Sequence, residues 1–357
     1  MRKVFEKRNV NVMLEHNNDI YYSWSSQQKI SYIGDKISKI SNTGEEVLLE
    51  IQNYGLSSFY EYLVFTKDSS GSELYIYDLD KIINEFKNKA IIDGRHKLKS
   101  SLIVGIEIDD EIIKHRLTKD LSLEPLRVSC NIIINDIYLS KKKRTPGLLA
   151  RKDECNKNKW QADLSQIGLY KKMDGTIAEQ NEIDGELLYN EELKFIYVPM
   201  AGGQLVALEA DSGQIIWIKE HIVRRDKQLT SGKYSIIDNS IYKTDGASII
   251  EISAKEGEVL KKLYFEDIQN SLNRIKDLND NFICTGPINV YSDVIVLFAV
   301  RKCQIVILNR QTLELIDFVH IPNIPGIPNS KKSIVWHNNQ LHILDLENTL
   351  HIFGKET

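Results

Sequence analysis

The sequence predicts an all-β fold: a single β-propeller domain over residues 1–357, with about seven four-stranded blades and eight possible. Three observations lead to this prediction: a strand–turn–strand unit that repeats along the chain, an apolar run with the length of a buried strand, and strand patterns at both ends. Short strands repeating at about 40–55 residues are typical of propellers. With 42% hydrophobic and 27% charged residues, the chain has an ordinary globular composition.

The repeated unit is clearest in residues 201–217, AGGQLVALEADSGQIIW. Apolar segments flank the turn 211–213, where glycine permits a positive φ, so the pattern predicts an antiparallel hairpin. The same unit recurs, with one shorter turn in its first copy, in residues 36–51, 248–263 and 304–318. Leu313 stands where two other copies have glycine, and we expect a turn of another form there.

Apolar runs and the two chain ends complete the prediction. Residues 294–300, VIVLFAV, suit a strand buried on both faces, and they are too few to cross a bilayer. Residues 340–353 begin a last unit, which N-terminal strands near residues 4–14 are expected to complete, closing the ring without a free sheet edge. Residues 105–115, GIEIDDEIIKH, predict a hairpin with Asp109-Asp110 at its tip.

Two segments carry apolar residues at helical spacing, residues 78–86 (DLDKIINEF) and 265–280 (FEDIQNSLNRIKDLND). They predict short helices inserted between strands, either lying on the rim of the propeller or binding a partner.

The stretch GGQLVALEADSGQIIW resembles the repeat of the quinoprotein-like propellers, which include pyrroloquinoline-quinone dehydrogenases and many non-enzymatic relatives. The shared pattern is a glycine, then LxALxxxxGxxxW. The resemblance implies that Trp217 packs between neighbouring blades, with Trp160 a looser match and Lys261 and Asp317 in the same place of later units. It implies a structural blade motif of Gly203, Asp211, Gly213 and Trp217.

The resemblance does not extend to a cofactor site. The quinone enzymes commonly hold their cofactor with a vicinal disulfide, a stacking tryptophan and a calcium-bound carboxylate. The four cysteines of this chain are far apart, at Cys130, Cys155, Cys284 and Cys303. We therefore expect no cofactor and a non-enzymatic relative, with the cysteines as thiols.

No residue group predicts catalysis or a metal. Zinc sites use closely spaced ligands, whereas His337, His342 and His351 fall in separate strand patterns and are expected to be solvated. Asp109-Asp110-Glu111 is expected to be a polar hairpin tip, and Gly202-Gly203 a tight strand connection. The phosphate-loop and nucleophile-elbow motifs are absent from the sequence.

Basic residues mark the candidate interaction loops. Lys141, Lys142, Lys143 and Arg144 are followed by Thr-Pro-Gly, and the pattern predicts an exposed loop, either a partner contact or simply solvated. Arg224 and Arg225 form a second, weaker basic loop.

These observations favour a protein–protein interaction module: a scaffold, a regulator or an inhibitor of the immunity type. The alternative is a hydrolase or lyase with its site at the central funnel, built from residues distant in sequence. A formal charge of −4 and a pI near 6.1 argue against a general nucleic-acid binder. The N-terminal residues lack the pattern of a secretory signal, so we expect a cytoplasmic protein that does not bind membranes.

Overall fold

The computed structural model places strands along nearly the whole chain. It describes residues 1–26, 33–41, 44–66, 74–78, 81–86, 90–92, 102–108, 111–126, 128, 130, 132–142, 145–168, 176–220, 233–244, 248–267 and 284–354. The chain divides into two compact units. Unit 1 comprises Met1–Arg127 and Ile321–Thr357, and unit 2 comprises Val128–His320.

The elements follow one another as short strands. The first part of unit 1 contains β1 (Arg2–Lys7), β2 (Val10–His16), β3 (Asp19–Trp24), β4 (Lys36–Ser41), β5 (Gly44–Leu49), β6 (Tyr54–Phe59), β7 (Tyr62–Thr66), β8 (Leu74–Asp78), β9 (Lys81–Phe86), β10 (Ala90–Ile92), β11 (Leu102–Ile108), β12 (Glu111–Leu117) and β13 (Leu123–Pro125). Unit 2 contains β14 (Ile132–Ile134), β15 (Ile137–Lys142), β16 (Thr145–Lys152), β17 (Asn158–Asp163), β18 (Leu188–Asn190), β19 (Phe195–Pro199), β20 (Gln204–Glu209), β21 (Ile215–Glu220), β22 (Lys233–Ile237), β23 (Ser240–Thr244), β24 (Ser248–Ser253), β25 (Val259–Tyr264), β26 (Asn289–Val290), β27 (Val294–Ala299), β28 (Gln304–Asn309) and β29 (Leu315–His320). Unit 1 ends with a 3-10 turn (Lys331–Ser333) and β30 (Ile334–His337), β31 (Gln340–Leu344) and β32 (Leu350–Gly354).

Within the described residues the strands form eight four-stranded antiparallel sheets, which we call blades. Blades 1 to 7 take consecutive sets of four strands, from β2–β5 through β26–β29, and blade 8 has the order β1-β32-β31-β30. Unit 1 therefore holds blades 1, 2, 3 and 8, and unit 2 holds blades 4 to 7. The predicted all-β class and four-stranded blades are confirmed, and the expected number, about seven with eight possible, includes the eight sheets seen here.

Blade 8 joins the two ends of the chain. β1 pairs antiparallel with β32, from Arg2 opposite Gly354 to Lys7 opposite Leu350. The N-terminal segment therefore completes the C-terminal sheet, as predicted, but only β1 does so. β2, which falls in the same predicted segment, begins blade 1 instead.

The cores of both units lie between consecutive blades. Tyr22 belongs to the apolar cluster that blade 1 forms with blade 8, while Tyr21 belongs to the cluster with blade 2. Because side chains alternate along a strand, the middle strands must be apolar on both faces. β27, the VIVLFAV strand, is buried at every position from Val294 to Ala299, which confirms its prediction.

One predicted helix is a strand. β9 (Lys81–Phe86) pairs with β8, with Phe86 opposite Leu74. Its apolar residues fit helical spacing, but a segment of six residues does not separate the two periods, and pairing with β8 supplies backbone hydrogen bonds. Of the second predicted helix, residues 265–267 are helical and the remainder lies outside the described residues.

The turn at Leu313 has the same form as its glycine counterparts, contrary to expectation. Gly213 and Gly257 both have φ +73°, and Leu313 has φ +59°. In all three turns this residue donates its N–H to the carbonyl four residues earlier, at 2.8–2.9 Å. Leu313 is buried in the cluster between blades 6 and 7, and its packing offsets the strain of the left-handed conformation.

Candidate functional site

A polar cavity of about 350 Å³ opens beside blade 8 of unit 1. Its walls come from β1, from the segment between β1 and β2, from the segment after β29, and from the turn and strand at β32. The lining residues are Lys3, Glu6, Arg8, Asn9, Ile321, Pro322, Asn323, Ile324, Asp345, Glu347, Thr349 and His351. We call this space the blade 8 cavity.

Asp345 organises the turn that forms the floor of the blade 8 cavity. Its side chain is buried, and its Oδ1 accepts backbone hydrogen bonds from Glu347 and Thr349, both at 2.8 Å. Its own N–H donates to the carbonyl of Thr349 at 3.0 Å, and Asn348 takes a left-handed φ of +60°. Aspartate and asparagine favour such turns because their side chains bond nearby backbone and tolerate positive φ.

His351 follows this turn on β32 and contacts Asp345. Its Nε2 lies 2.8 Å from Asp345 Oδ2, and the ring is 4% exposed. Because a carboxylate only accepts, Nε2 carries the proton of this hydrogen bond. In the neutral ring, Nδ1 is then an acceptor, and it makes no hydrogen bond to any described residue.

β1 brings Glu6 to this histidine. Glu6 pairs directly with His351 in the antiparallel register, so the two side chains share a face of blade 8. Glu6 Oε2 lies 3.8 Å from Nδ1 of His351, which is too long for a hydrogen bond.

Both cations that line the blade 8 cavity lie next to Glu6. Lys3 donates a hydrogen bond to Glu6, and Arg8 Nε lies 3.7 Å from Glu6 Oε1. The hydrogen bond from Lys3 is the main reason that the pKa of Glu6 is below its usual value. Glu6 therefore stays ionised at neutral pH. Counted as formal charges, the lining has three carboxylates, Glu6, Asp345 and Glu347, against two cations, Lys3 and Arg8.

A second surface feature lies in unit 2, on the end strands of blades 5 and 6. Five large aliphatic side chains are 43–55% exposed there. They are Ile215, Ile216 and Ile218 of β21 and Val259 and Leu260 of β25. Lys219 of β21 is paired with Glu258 at 2.5 Å, so the two strands are neighbours at this point. We call these five residues the edge patch.

Trp217 is the one buried side chain of β21. Its ring packs on Tyr197 with centroids 5.8 Å apart, and Nε1 donates to the carbonyl of Lys255 in blade 6 at 3.0 Å. It belongs to the cluster between blades 5 and 6. Trp160 makes the equivalent contact one blade earlier, donating to the carbonyl of Ala210 at 2.7 Å.

The other residues of the sequence motif hold turns. Asp211 pairs with Arg151 at 2.7 Å, which links the turn of blade 5 to blade 4. Gly203 lies in the connection between β19 and β20 and donates to the carbonyl of Met200 at 2.9 Å. The adjacent Gly202 donates to the side chain of Asn181 at 3.0 Å.

The predicted basic loop is a hairpin. Lys141 and Lys142 belong to β15, and Lys142 pairs with Thr145 of β16, so only two residues separate the paired positions. Pro146-Gly147 suggested a loop, but Gly147 lies in β16, where a Cβ would collide with Ser165. Lys141 is half-buried and donates to the carbonyl of Ile183. The other candidate residues, Lys143, Arg144, Arg224 and Arg225, lie outside the described residues.

Two of the three strand histidines, His342 and His351, are buried, contrary to the expectation that they are solvated, and His337 is half-buried. His342 is 1% exposed, and neither of its ring nitrogens has a hydrogen-bond partner among the described residues. It pairs with Val335 and Ile352, which belong to the cluster between blades 8 and 1. Burial is the main cause that lowers the pKa of His342 to about 3, with His337 adding to it. A polar residue that alternates with apolar ones in a strand is expected to face solvent. His342 does not, because both faces of β31 are covered.

The 105–115 hairpin and the cysteine thiols agree with their sequence predictions. The 105–115 hairpin forms with Ile108 opposite Glu111, and its tip residues lie outside the described residues. All four cysteines are thiols. Across the described ranges, His, Cys, Asp and Glu side chains form no group of three that suits a metal ion. Among the same residues, no helix is long and apolar enough to span a membrane.

Comparison with known proteins shows the fold alone. No protein-family model and no curated protein sequence matches the chain. The C-terminal WD40 domain of Sif2 is similar over 100% of this chain and 98% of its own, with a TM-score of 0.62 and 11% identity. The chain is a β-propeller. Its resemblance to the quinoprotein-like superfamily stays a prediction.

Two further solved structures are similar to this propeller over nearly their full lengths. Saccharomyces cerevisiae Sqt1 matches 99% of this chain and 98% of its own, with 11% identity and a TM-score of 0.58. BamB from Moraxella catarrhalis matches the same shares, with 13% identity and a TM-score of 0.51.

Sequence reasoning missed both candidate sites of the propeller. The blade 8 cavity combines Glu6 with His351, which are brought together only by the pairing of β1 with β32. The sequence feature that could have indicated this cavity is the run DLENT, Asp345 to Thr349. Its aspartate and asparagine are typical of a turn with a side-chain hydrogen bond. The edge patch had a direct signal in the sequence. Three isoleucines fall in the last of four consecutive strands, which lies at the end of its sheet.

Proposed function

We propose that this propeller is a protein–protein interaction module, and that the edge patch is where a partner binds. The observation that carries the proposal is the exposure of five large aliphatic side chains on neighbouring end strands. Large apolar side chains exposed in numbers on a soluble protein mark candidate interaction sites.

The position of the edge patch at the end of a sheet supports the same proposal. Among the described residues, β21 is the last strand of blade 5 and pairs with β20 on one side only. An end strand presents backbone N–H and C=O groups on its outer side, which an extended segment of another chain can pair with. The isoleucines add apolar contact area to such pairing.

The fold is consistent with this role. WD40 propellers, the class named for the Sif2 domain, generally mediate protein–protein interactions, and this chain has their architecture. Rigid four-stranded blades hold exposed loops and end strands in fixed positions, so that a partner meets a preformed surface. A scaffold, a regulator and an inhibitor of a partner all follow from such binding.

The experiment is affinity capture of the tagged protein from its native lysate, with chemical cross-linking and mass spectrometry. We expect one stoichiometric partner that is retained at high salt and cross-linked beside β21 or β25. The triple variant Ile216→Lys, Ile218→Lys, Leu260→Lys should lose that partner while melting at the same temperature, because the three side chains are exposed.

The matched control is Val47→Lys on β5, an equally exposed aliphatic residue on the end strand of blade 1. It should keep the partner. Retention of the partner by the triple variant, or equal loss in the control, would contradict the proposal that the edge patch binds it.

A further inference from the structure

We propose that the blade 8 cavity binds a lysine side chain of a protein partner. This inference rests on the proposed function in one respect, namely that the natural ligand belongs to a protein. The cavity itself is a separate site, because all its lining residues belong to unit 1, whereas the edge patch belongs to unit 2.

The first argument is the unsatisfied nitrogen of His351. Buried polar groups in folded proteins nearly always have a hydrogen-bond partner. His351 Nε2 has one in Asp345, while Nδ1, on a ring that is 4% exposed, has none among the described residues. The hydrogen bond to Asp345 fixes the ring, so Nδ1 of the neutral imidazole is held in place as an acceptor for a donor that enters the cavity.

The second argument is the position of Glu6. Its Oε2 lies 3.8 Å from Nδ1, so one donor nitrogen can lie within hydrogen-bond distance of both acceptors. An ammonium group carries three N–H donors and no acceptor, and it can donate to both atoms at once. A hydroxyl group has a single proton and can satisfy only one of them.

The third argument is charge. Glu6, Asp345 and Glu347 carry three negative charges, and Lys3 and Arg8 carry two positive charges, so the lining has a formal charge of −1 with His351 neutral. One added cation neutralises it, and an anion would add to the repulsion. Both lining cations have exposed side chains, 39% for Lys3 and 79% for Arg8.

The fourth argument is size. About 350 Å³ is near the lower end of the range of roughly 300–1,000 Å³ that is usual for small-ligand pockets. This space suits one extended side chain. Ile321 and Ile324 line part of the wall and can contact the methylene stem, as lysine stems commonly pack on apolar surface.

The test titrates the full-length protein with Nα-acetyl-lysine methylamide and follows the histidine ring nitrogens by long-range ¹H–¹⁵N NMR. We expect a saturable shift of His351 Nδ1 at millimolar probe. The norleucine analogue, which has the same stem without the ammonium group, should give none. The free polyamine spermidine should bind no more tightly than the lysine probe if a protein side chain is the ligand.

Two variants have opposite expected effects. Glu6→Gln removes one acceptor charge and should weaken the lysine probe roughly tenfold, equivalent to about 1.4 kcal/mol. Lys3→Met removes the residue that already donates to Glu6 and should tighten binding. Both side chains are more than a third exposed, so both variants should fold.

Three outcomes would overturn the proposal. They are no shift with the lysine probe, an equal shift with the norleucine analogue, and tighter binding of the matching glutamate analogue, Nα-acetyl-glutamate methylamide, than of the lysine probe. Tighter binding of spermidine would overturn the assignment to a protein side chain. Because the test uses a purified protein and a small probe, its failure leaves the capture experiment on the edge patch unaffected, and the reverse also holds.

Discussion

Gly257 lies against the indole ring of Trp217, so close that a Cβ on the glycine would come within 2.9 Å of two ring carbons. Gly213 has the same relationship with Trp160 of the preceding blade, at 2.6–2.7 Å. Both glycines also have φ +73°. In blade 7 the turn residue is Leu313. The preceding blade 6 has Lys261 at the position of the tryptophan, so a side chain at residue 313 meets no indole ring there. The tryptophan of one blade and the glycine of the next are therefore coupled.

Replacing Trp217 by alanine should destabilise the protein by about 3–5 kcal/mol, as for a buried aromatic residue. The variant loses the contact with Tyr197 and the hydrogen bond to Lys255. Urea unfolding measures the free energy, with the exposed Ile216→Ala as the control that should change it by less than about 0.5 kcal/mol. An unchanged unfolding midpoint in the tryptophan variant would contradict the role assigned to this side chain.

A double-mutant cycle tests the coupling directly. Gly257→Leu alone should cost more than about 2 kcal/mol, because it combines a left-handed φ with a collision against Trp217. Combined with Trp217→Lys, which reproduces the pair found between blades 6 and 7, it should cost less than the sum of the single changes by about 1–3 kcal/mol. Strict additivity would show that the glycine is required by φ and by the stem of Lys219, whose Cγ would lie 2.7 Å from the same Cβ, and not by Trp217.

Leu313→Gly should destabilise the protein although it relieves backbone strain. The left-handed conformation costs leucine about 1–2 kcal/mol. Loss of its buried side chain from the cluster between blades 6 and 7 costs about 2–5 kcal/mol. We expect a net loss of about 1–3 kcal/mol in urea unfolding. A stabilised variant would mean that the packing of Leu313 contributes little.

His342 should make the protein less stable in mild acid. Its pKa is about 3 in the folded state against 6.5 for an unperturbed histidine, so above pH 6.5 both states are neutral and the contribution is constant. As pH falls below 6.5 the unfolded state binds a proton that the folded state does not, which favours unfolding by about 2 kcal/mol at pH 5. The loss would continue until about pH 3.

His342→Leu removes this pH-dependent loss of stability. Between pH 7.5 and pH 5, the unfolding free energy of the variant should therefore increase relative to that of the wild type. The carboxylates titrate alike in both proteins, so their effect cancels in this difference. A difference that does not change with pH would mean that His342 is hydrated or charged in the folded state.

The thiols should react with Ellman's reagent in separate phases. Cys155 is exposed and should react at once, and Cys130 is half-buried and should react more slowly. Cys284 and Cys303 are buried, and burial raises the pKa of the Cys284 thiol to about 11, so both should react only on unfolding. Cys155→Ser should remove the first phase. Rapid reaction of more than two thiols would contradict the packing of blade 7.

Local sequence patterns predict the hairpins well because a hairpin is a local structure. The turn at Gly213 and the pairing of β20 with β21 follow from residues within one short stretch. β9 was mispredicted because its short apolar pattern fits two periods, and its strand form depends on pairing with β8. The leucine at position 313 stands beside a blade that has Lys261 where blades 4 and 5 have tryptophan, and a local pattern does not contain that residue.

The candidate sites were harder to predict because they depend on distant pairing and on burial. Glu6 becomes part of a site only through its pairing with His351, 345 residues later in the chain. His342 reads as a polar, exposed position in an alternating strand, but the neighbouring blade covers it.

The pairing of β1 with β32 also sets an order of events during synthesis. Arg2 leaves the ribosome long before its partner Gly354, so β1 must wait for nearly the whole chain before its sheet can form. Contacts so distant in sequence are expected late in folding, because closing a long loop costs chain entropy. Glu6 and His351 meet only at that stage. A chain that stalls before β32 would therefore lack the cavity even with its earlier blades folded, and ligand binding there would report that β32 has joined β1.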